Sequence, residues 1–210
     1  MIFKRVPVGV NYTNSYIIGQ EDGNGIIVDP GDEARKLLSS VEDLKINLTK
    51  IIITHAHFDH IGAVEYLREE TGAEVLIHEK ENEFLKDPDK NLSFLIGKEI
   101  VCQGADTLLG DGDVIGVSNG LSFEVIFTPG HSPGGICLYN KEDNYLLSGD
   151  TIFFRGVGRT DFQFGNEKKL IQSIENKILI LPEDTVVYPG HGASTTIGDF
   201  KNNYWETARG

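Results

Sequence analysis

The sequence predicts an α/β protein, because short apolar runs of strand length alternate with segments whose apolar residues recur at helical spacing. Two further observations support this. Turn signals between apolar runs mark hairpins, and the two halves of the chain share a plan of strands first, then a helix and another strand. A length of 210 residues suits one domain, residues 1–210, or two closely fused halves, with a core of substantial size.

Met1 to Val6, Ser15 to Ile18 and Gly25 to Val28 read as strands, the last two joined through Asp22-Gly23-Asn24-Gly25. Asp29-Pro30-Gly31-Asp32 ends that meander. Glu33 to Leu44 places Ala34, Leu37, Leu38, Val41 and Leu44 at helical spacing and leads to the strand Lys50 to Ile53. A helix is expected from Ile61 to Thr71, stopped at Gly72, and a strand from Glu74 to Ile77. Glu79 to Gly104 is charged and weakly periodic, a short helix plus loop. Strand character returns at Val114 to Val117 and Leu121 to Thr128, around Ser118-Asn119-Gly120. Gly135 to Tyr139 and Tyr145 to Leu147 form another hairpin, and a helix from Glu167 to Leu179 precedes the strand Thr185 to Tyr188.

Net charge is −13, from 32 acidic and 19 basic residues, a field that disfavours nucleic acid and anionic membrane as partners. Cys102 and Cys137 are the only cysteines, which fits a reducing compartment and excludes a disulfide framework. No apolar run suits a signal peptide or a membrane span, so a cytoplasmic location is expected. The glycosylation-type triplets at Asn11, Asn47 and Asn91 then carry no meaning.

The chemistry concentrates in Thr54-His55-Ala56-His57-Phe58-Asp59-His60, directly after Ile51-Ile52-Ile53. Period-two alternation sends His55 and His57 to one face, where two imidazoles can grip a cation. If the chain then turns into a helix, Asp59 and His60 project at another angle, suited to a neighbouring cation. Asp59 as a plain helix cap is the structural alternative, but three of the six histidines of the chain surround it. Thr128-Pro129-Gly130-His131, Ser148-Gly149-Asp150 and Tyr188-Pro189-Gly190-His191 each put one ligand-type residue just past a strand, after a glycine. Strand ends converge on one sheet edge, so one nitrogen and oxygen site for zinc, iron or manganese accounts for five histidines and two aspartates. His78 is left over and reads as a surface polar residue or the start of a helix. Gly116-Val117-Ser118-Asn119-Gly120 matches a serine-hydrolase pattern, but that motif needs a helix after it where a strand is expected here.

His55-x-His57-x-Asp59-His60, followed by single His, Asp and His residues, resembles the metallo-β-lactamase superfamily over nearly the whole chain. The resemblance implies a four-layer αββα sandwich, the metallo-β-lactamase fold, with two divalent metal ions at one edge, zinc first and iron or manganese as alternatives. It also implies that His55, His57 and His131 hold the first metal, Asp59, His60 and His191 the second, and that Asp150 bridges them. Thr128 to Gly134 and Gly190-His191-Gly192 are similar to the ligand loops of the hydroxyacylglutathione hydrolase (glyoxalase II)-like branch. The tail from Ser194 with Asn202-Asn203 resembles a short, single-domain form of it. Longer enzymes of that branch carry a C-terminal helical region that grips glutathione, whereas only 19 residues follow His191 here, so the thiol is left open.

Two divalent cations against Asp59, Asp150 and a bridging hydroxide leave about one positive charge, enough to attract a small anionic thioester. The expected reaction is attack of that hydroxide on the acyl carbon, with Asp59 also a catalytic candidate for orienting it. The motifs contain no spare proton donor beyond Tyr12, Tyr188 or Lys98, and a thiolate leaves without one, since thiols ionise near pH 8.5. Thioester hydrolysis therefore suits the site better than amide hydrolysis. Arg155 and Arg159 are candidates to clamp a substrate carboxylate, with an Arg159–Asp161 ion pair as the alternative for the latter. Arg155 to Gln163 also resembles the corresponding loop of persulfide dioxygenases, which use one iron on two His and one Asp. A metal-stabilised module without activity is a third reading. Flavodiiron, exported β-lactamase and nuclease branches fit less well, on His57, Asp150 and net charge respectively.

Overall fold

The structure, a computed structural model, describes residues 1–20, 23–118 and 120–209, with the backbone alone at 208 and 209. The chain divides into two compact units, Met1–Leu109 with Gly116–Ser122 and Gly110–Ile115 with Phe123–Gly210. Of the expected turns, Asp22 and Asn119 lie outside the described residues.

In the first unit, β1 (Ile2–Val8), β2 (Thr13–Gly19) and β3 (Asn24–Val28) form an antiparallel meander. β4 (Asn47–Ile53), β5 (Glu74–His78) and β6 (Thr107–Leu109) then add in parallel to β3, giving a six-stranded mixed sheet in the order β1 to β6. Parallel pairing needs crossover helices, and these cover the sheet. α1 (Ala34–Asp43) connects β3 to β4, and α3 (Val64–Thr71) packs on β4 and β5 and against α1. Ile51, Ile52 and Ile53 are consequently all fully buried. Each contributes about 1.5–3 kcal/mol of apolar burial.

The helix expected from Ile61 to Thr71 starts late, at Val64, and Ile61 belongs to a separate turn before it. A first turn, α2 (Phe58–Ile61), is separated from α3 at Gly62-Ala63. The loop after β3 causes the break by crossing the helix at backbone distance, where the Ala63 N–H donates to the Pro30 carbonyl at 2.9 Å. A Cβ on Gly31 would overlap the Asp59 carbonyl, and one on Gly62 would overlap the Gly31 carbonyl. Only glycines permit the crossing. Glu79 to Gly104 contains two short 3-10 turns, Glu79–Glu81 and Ser93–Ile96.

In the second unit, β7 (Val114–Ser118), β8 (Leu121–Phe127), β9 (Ile136–Asn140), β10 (Tyr145–Gly149), β13 (Val186–Pro189) and β14 (Thr195–Thr196) form a mixed sheet in the order β14-β13-β10-β9-β8-β7. The strand β8 after Gly120 removes the serine-hydrolase reading, which needs a helix there. A small ribbon, β11 (Ile152–Phe153) with β12 (Gly156–Val157), holds Arg155 at its tip. α4 (Glu167–Ser173), capped by the Asn166 side chain, widens into a π turn at Ile174–Ile178. The C-terminal helical segment starts with α5 (Ile197–Phe200). Leu170, Ile174 and Ile178 from α4 and its extension, with Ile197, Phe200 and Trp205, cover Cys137, Tyr139, Leu146 and Val187 of the sheet.

No helix among the described residues is long and apolar enough to cross a membrane. Both cysteines are free and buried, and burial pushes the Cys102 thiol up to about 12 and Cys137 up to about 11. At pH 8 Ellman's reagent should therefore label neither thiol in the folded protein and both after denaturation. Gly31→Ala is expected to lower stability by about 1–3 kcal/mol, the range for overpacking. A urea midpoint equal to that of the wild type would show that the crossing relaxes instead.

Candidate metal centre

In each unit the ligand-type residues gather where parallel strands end. β3, β4 and β5 run parallel, so Asp29, the His motif and Glu81 all follow C-terminal strand ends on one edge of the first sheet. In the second sheet β8 and β10 are each antiparallel to β9, and β10 is parallel to β13. His131, Asp150 and His191 therefore follow ends that point the same way.

Between Ile53 and α2 the chain bends at Thr54 and carries His55 and His57 side by side. Their rings meet edge to face with centroids 4.6 Å apart, the pairing that period-two alternation predicts. A ligand atom of each lies within 4.8 Å of the other. The turn into α2 then presents Asp59 and His60, whose ligand atoms are equally close to one another. His60 also approaches His55, ring to ring at 4.1 Å.

Asp29 holds this arrangement together. Its Oδ1 accepts the Thr54 N–H at 2.7 Å, and its Oδ2 accepts the Thr54 hydroxyl at 2.7 Å and faces His60 Nδ1 at 3.0 Å. A carboxylate only accepts, so His60 carries its proton on Nδ1 and its lone pair on Nε2. Thr54 spends its hydroxyl proton on Asp29, so it accepts from His55 Nδ1 at 3.2 Å, which assigns the same tautomer to His55. Glu81, fully buried, accepts the Ala56 N–H at 3.0 Å and so fixes the backbone between His55 and His57. Asp59 Oδ2 accepts from Asn11 Nδ2 at 3.0 Å and Thr13 Oγ1 at 3.2 Å.

The second unit orders its donors in the same manner. His131 Nδ1 donates to the Arg159 carbonyl at 2.7 Å, placing the lone pair on Nε2. Asp150 Oδ2 lies 3.6 Å from His131 Nε2 and 3.5 Å from His191 Nε2, so one carboxylate stands between two imidazoles. Gly190 N donates to the Gly149 carbonyl at 2.8 Å, tying the His191 loop to the Asp150 loop. Thr128 and Thr151 share a hydroxyl hydrogen bond at 2.9 Å, tying the His131 loop to the same place. A Cβ on Gly158 would overlap the Asp150 carbonyl and crowd the His131 ring.

Both donor sets fit divalent metal ions. His55, His60 and His131 each present Nε2, and the remaining donors include carboxylates, the chemistry of zinc, iron and manganese sites. Arg159 resolves toward the ion pair. Its guanidinium makes a two-pronged contact with Asp161 at 2.9 and 2.8 Å and stacks 4.3 Å over Phe162, while its carbonyl orients His131. Arg155 is exposed, beside the Phe154 ring at 5.2 Å. Among the candidate proton donors, Tyr12 is exposed, Tyr188 packs edge-on against Tyr145, and Lys98 lines a cleft with Asp59. His78 starts a helical turn, where its Nδ1 accepts the Lys80 N–H at 3.2 Å, and it is buried rather than on the surface. Sequence reasoning missed Asp29 and Glu81.

A model of the metallo-beta-lactamase superfamily matches residues 8–191. The chain is 40% identical over 200 residues to the "Probable metallo-hydrolase YqgX" of Bacillus subtilis, covering 94% of this chain and 93% of that protein. It is 34% identical over 206 residues to the "Hydroxyacylglutathione hydrolase GloC" of Haemophilus influenzae, covering 94% of each. Among solved structures, the BLEG-1 B3 metallo-β-lactamase superposes with a TM-score of 0.90 at 40% identity, covering 94% of this chain and 95% of that one. TTHA1623 in a di-iron-bound form gives 0.84 at 32% identity, with 96% and 98% covered. ETHE1 from Myxococcus xanthus gives 0.79 at 31%, with 96% and 82% covered.

Asp29→Asn keeps the size of the side chain but replaces one carboxylate oxygen with a donor, which faces the Thr54 and His60 donors. Metal affinity, measured by chelator competition, is expected to fall about 10–100-fold, the usual effect of losing such an outer partner. An unchanged affinity would show that the Asp29 contacts do not orient the ligands.

Proposed function

The chain belongs to the metallo-β-lactamase superfamily, with its α/β fold of two mixed sheets, and on that footing we propose that this metal-dependent hydrolase is a thioesterase of the hydroxyacylglutathione hydrolase type. The observation that carries the reading is the Asp150 carboxylate set between His131 and His191, the position of a bridging ligand in a two-metal site. In this reading residues 1–210 act as one domain. His55, His57 and His131 hold one cation, Asp59, His60 and His191 the other, and Asp150 both. Zinc is the first choice and iron the second, since a similar structure is described as di-iron-bound. When bound, such cations acidify a water to a pKa of about 7 and polarise the carbonyl under attack.

The residues of the chain do the rest. Asp29, Thr54, Glu81 and the Arg159 carbonyl hold the imidazole tautomers and the backbone in place, so little reorganisation accompanies reaction. Asp59, steadied by Asn11 and Thr13, orients the attacking water. No proton is delivered to the leaving group, which is why the reading favours thioesters: a thiolate departs unaided. The similarity to GloC supports the same substrate class. The substrate is small and anionic, and its carboxylate is met by Arg155, whose side chain is exposed; Arg159 serves the loop through Asp161.

Metal analysis coupled to assay of S-lactoylglutathione and other acyl thioesters tests the reading. Two metals per chain with thioesterase turnover are expected. One iron per chain with oxygen uptake on glutathione persulfide would establish the dioxygenase instead. Turnover confined to a β-lactam would assign the activity named for BLEG-1. Full metal occupancy with no turnover on thioesters, lactones, β-lactams or phosphoesters would leave a non-catalytic module. His55→Ala and Asp150→Asn should each abolish hydrolysis while leaving the circular dichroism of a folded chain; full activity in either would sink the ligand assignment.

A further inference from the structure

In the first unit a cleft of about 230 Å³ opens beside Asp59. Val8, Val10, Phe58, Ile96 and Ile100 form its apolar lining, Lys98 adds a four-carbon stem, and Asn11, Asp32 and Asp59 are its other polar side chains. Two of these residues stand far out of the core, Val10 at 83% exposure and Ile96 at 47%. Exposed apolar side chains gathered around a concave surface mark a place where something apolar binds. Of the carboxylates in the cleft, Asp59 accepts from Asn11 and Thr13, and Asp32 accepts the Glu33 N–H through Oδ1 at 2.6 Å.

Both walls are built rather than loose. The turn between β1 and β2 is anchored by Asn11 on Asp59 and by the Gly9 N–H on Glu33 Oε2 at 3.1 Å. The opposite wall is closed by Ile100 N on Ser93 Oγ at 3.1 Å and by Asn91 Nδ2 on the Ile100 carbonyl at 2.8 Å. Asn91 also accepts the Phe58 N–H at 2.8 Å, which couples this wall to the start of α2. A preformed apolar cleft costs its ligand little ordering entropy.

We infer that this cleft is the acyl pocket and that it selects thioesters with an apolar acyl chain; the inference rests on the thioesterase reading. Two arms of a thioester compete for any pocket beside the reacting carbon. At about 230 Å³ the cleft falls below the roughly 300 Å³ at which pockets for whole ligands begin, so it takes one arm. Thiol carriers of glutathione size are charged and larger, whereas a short alkyl chain matches both the volume and the lining.

The test compares acetyl and hexanoyl thioesters of one thiol, using metal-loaded protein. A buried methylene is worth about fourfold, so wild-type kcat/KM should favour hexanoyl by at least about tenfold. Ile96→Asp and Val10→Asp, on opposite walls, should each bring that ratio to within about twofold of one through KM for the longer chain, with folding checked by circular dichroism. Equal kcat/KM for both chains in the wild type, or an undiminished preference in both variants, would overturn the inference. If the wild type hydrolyses no thioester at all, the thioesterase reading fails and binding decides the cleft separately. Hexanamide, a neutral probe, should then still shift the methyl resonances of Val10, Ile96 and Ile100 saturably, and no shift would overturn the pocket itself.

Discussion

The interaction on which the first donor set depends is the buried carboxylate of Asp29. It takes up Thr54 through two hydrogen bonds and His60 through a third, so one side chain fixes both the exit of β4 and the second helical turn. To do so it sits at a positive φ of 50°, a conformation that costs a non-glycine residue about 1–2 kcal/mol. The crossing of Gly31 over α2 brings the carboxylate within reach, and that crossing forces the helix break at Gly62. Backbone strain, a lost helical turn and two glycines thus share one cause. Each is unfavourable alone, and together they leave the His60 ring and the backbone at Thr54 held in place.

Much of the site was legible because metal ligands are chemically restricted. Histidines and aspartates spaced by one or two residues after an apolar run have few other uses, and a glycine precedes each outlying ligand candidate. The partners that aim the ligands were not legible. Asp29 lies in Asp-Pro-Gly-Asp, which also describes an ordinary turn, and its role depends on the parallel pairing of β3 with β4. Glu81 lies in a charged run, Glu79-Lys80-Glu81, that reads as surface, yet it is fully buried where β5 ends. A pairing signal was present in both cases: each follows a strand beside β4, so its side chain reaches the same edge.

The fold shows the same division. Strands with β-branched runs and hairpin signals appear close to where their patterns place them, because local propensity and burial agree. The disagreements arise where tertiary contact overrides pattern. The helix expected from Ile61 to Thr71 rests on Ile61, Val64 and Leu67, and nothing in that spacing reports that another segment crosses before Val64. The helix after Glu167 widens to a π turn at Ile174–Ile178, where Ile174 and Ile178 are both buried in the core of the second unit. The two-residue strands β11, β12 and β14 are too short for periodicity to reveal.

Arg159 shows how one side chain can fit two roles, a substrate clamp or an ion pair within its loop. An arginine in the loop after Asp150 is a candidate for substrate recognition, since its fork geometry suits a carboxylate. Here the fork is already satisfied by Asp161 and the guanidinium plane lies over Phe162, so releasing it for a substrate would exchange one carboxylate for another with little net gain. What the loop supplies instead is a backbone carbonyl to His131. A carbonyl is insensitive to side-chain identity, so this loop can vary in sequence without disturbing the metal ligand it orients.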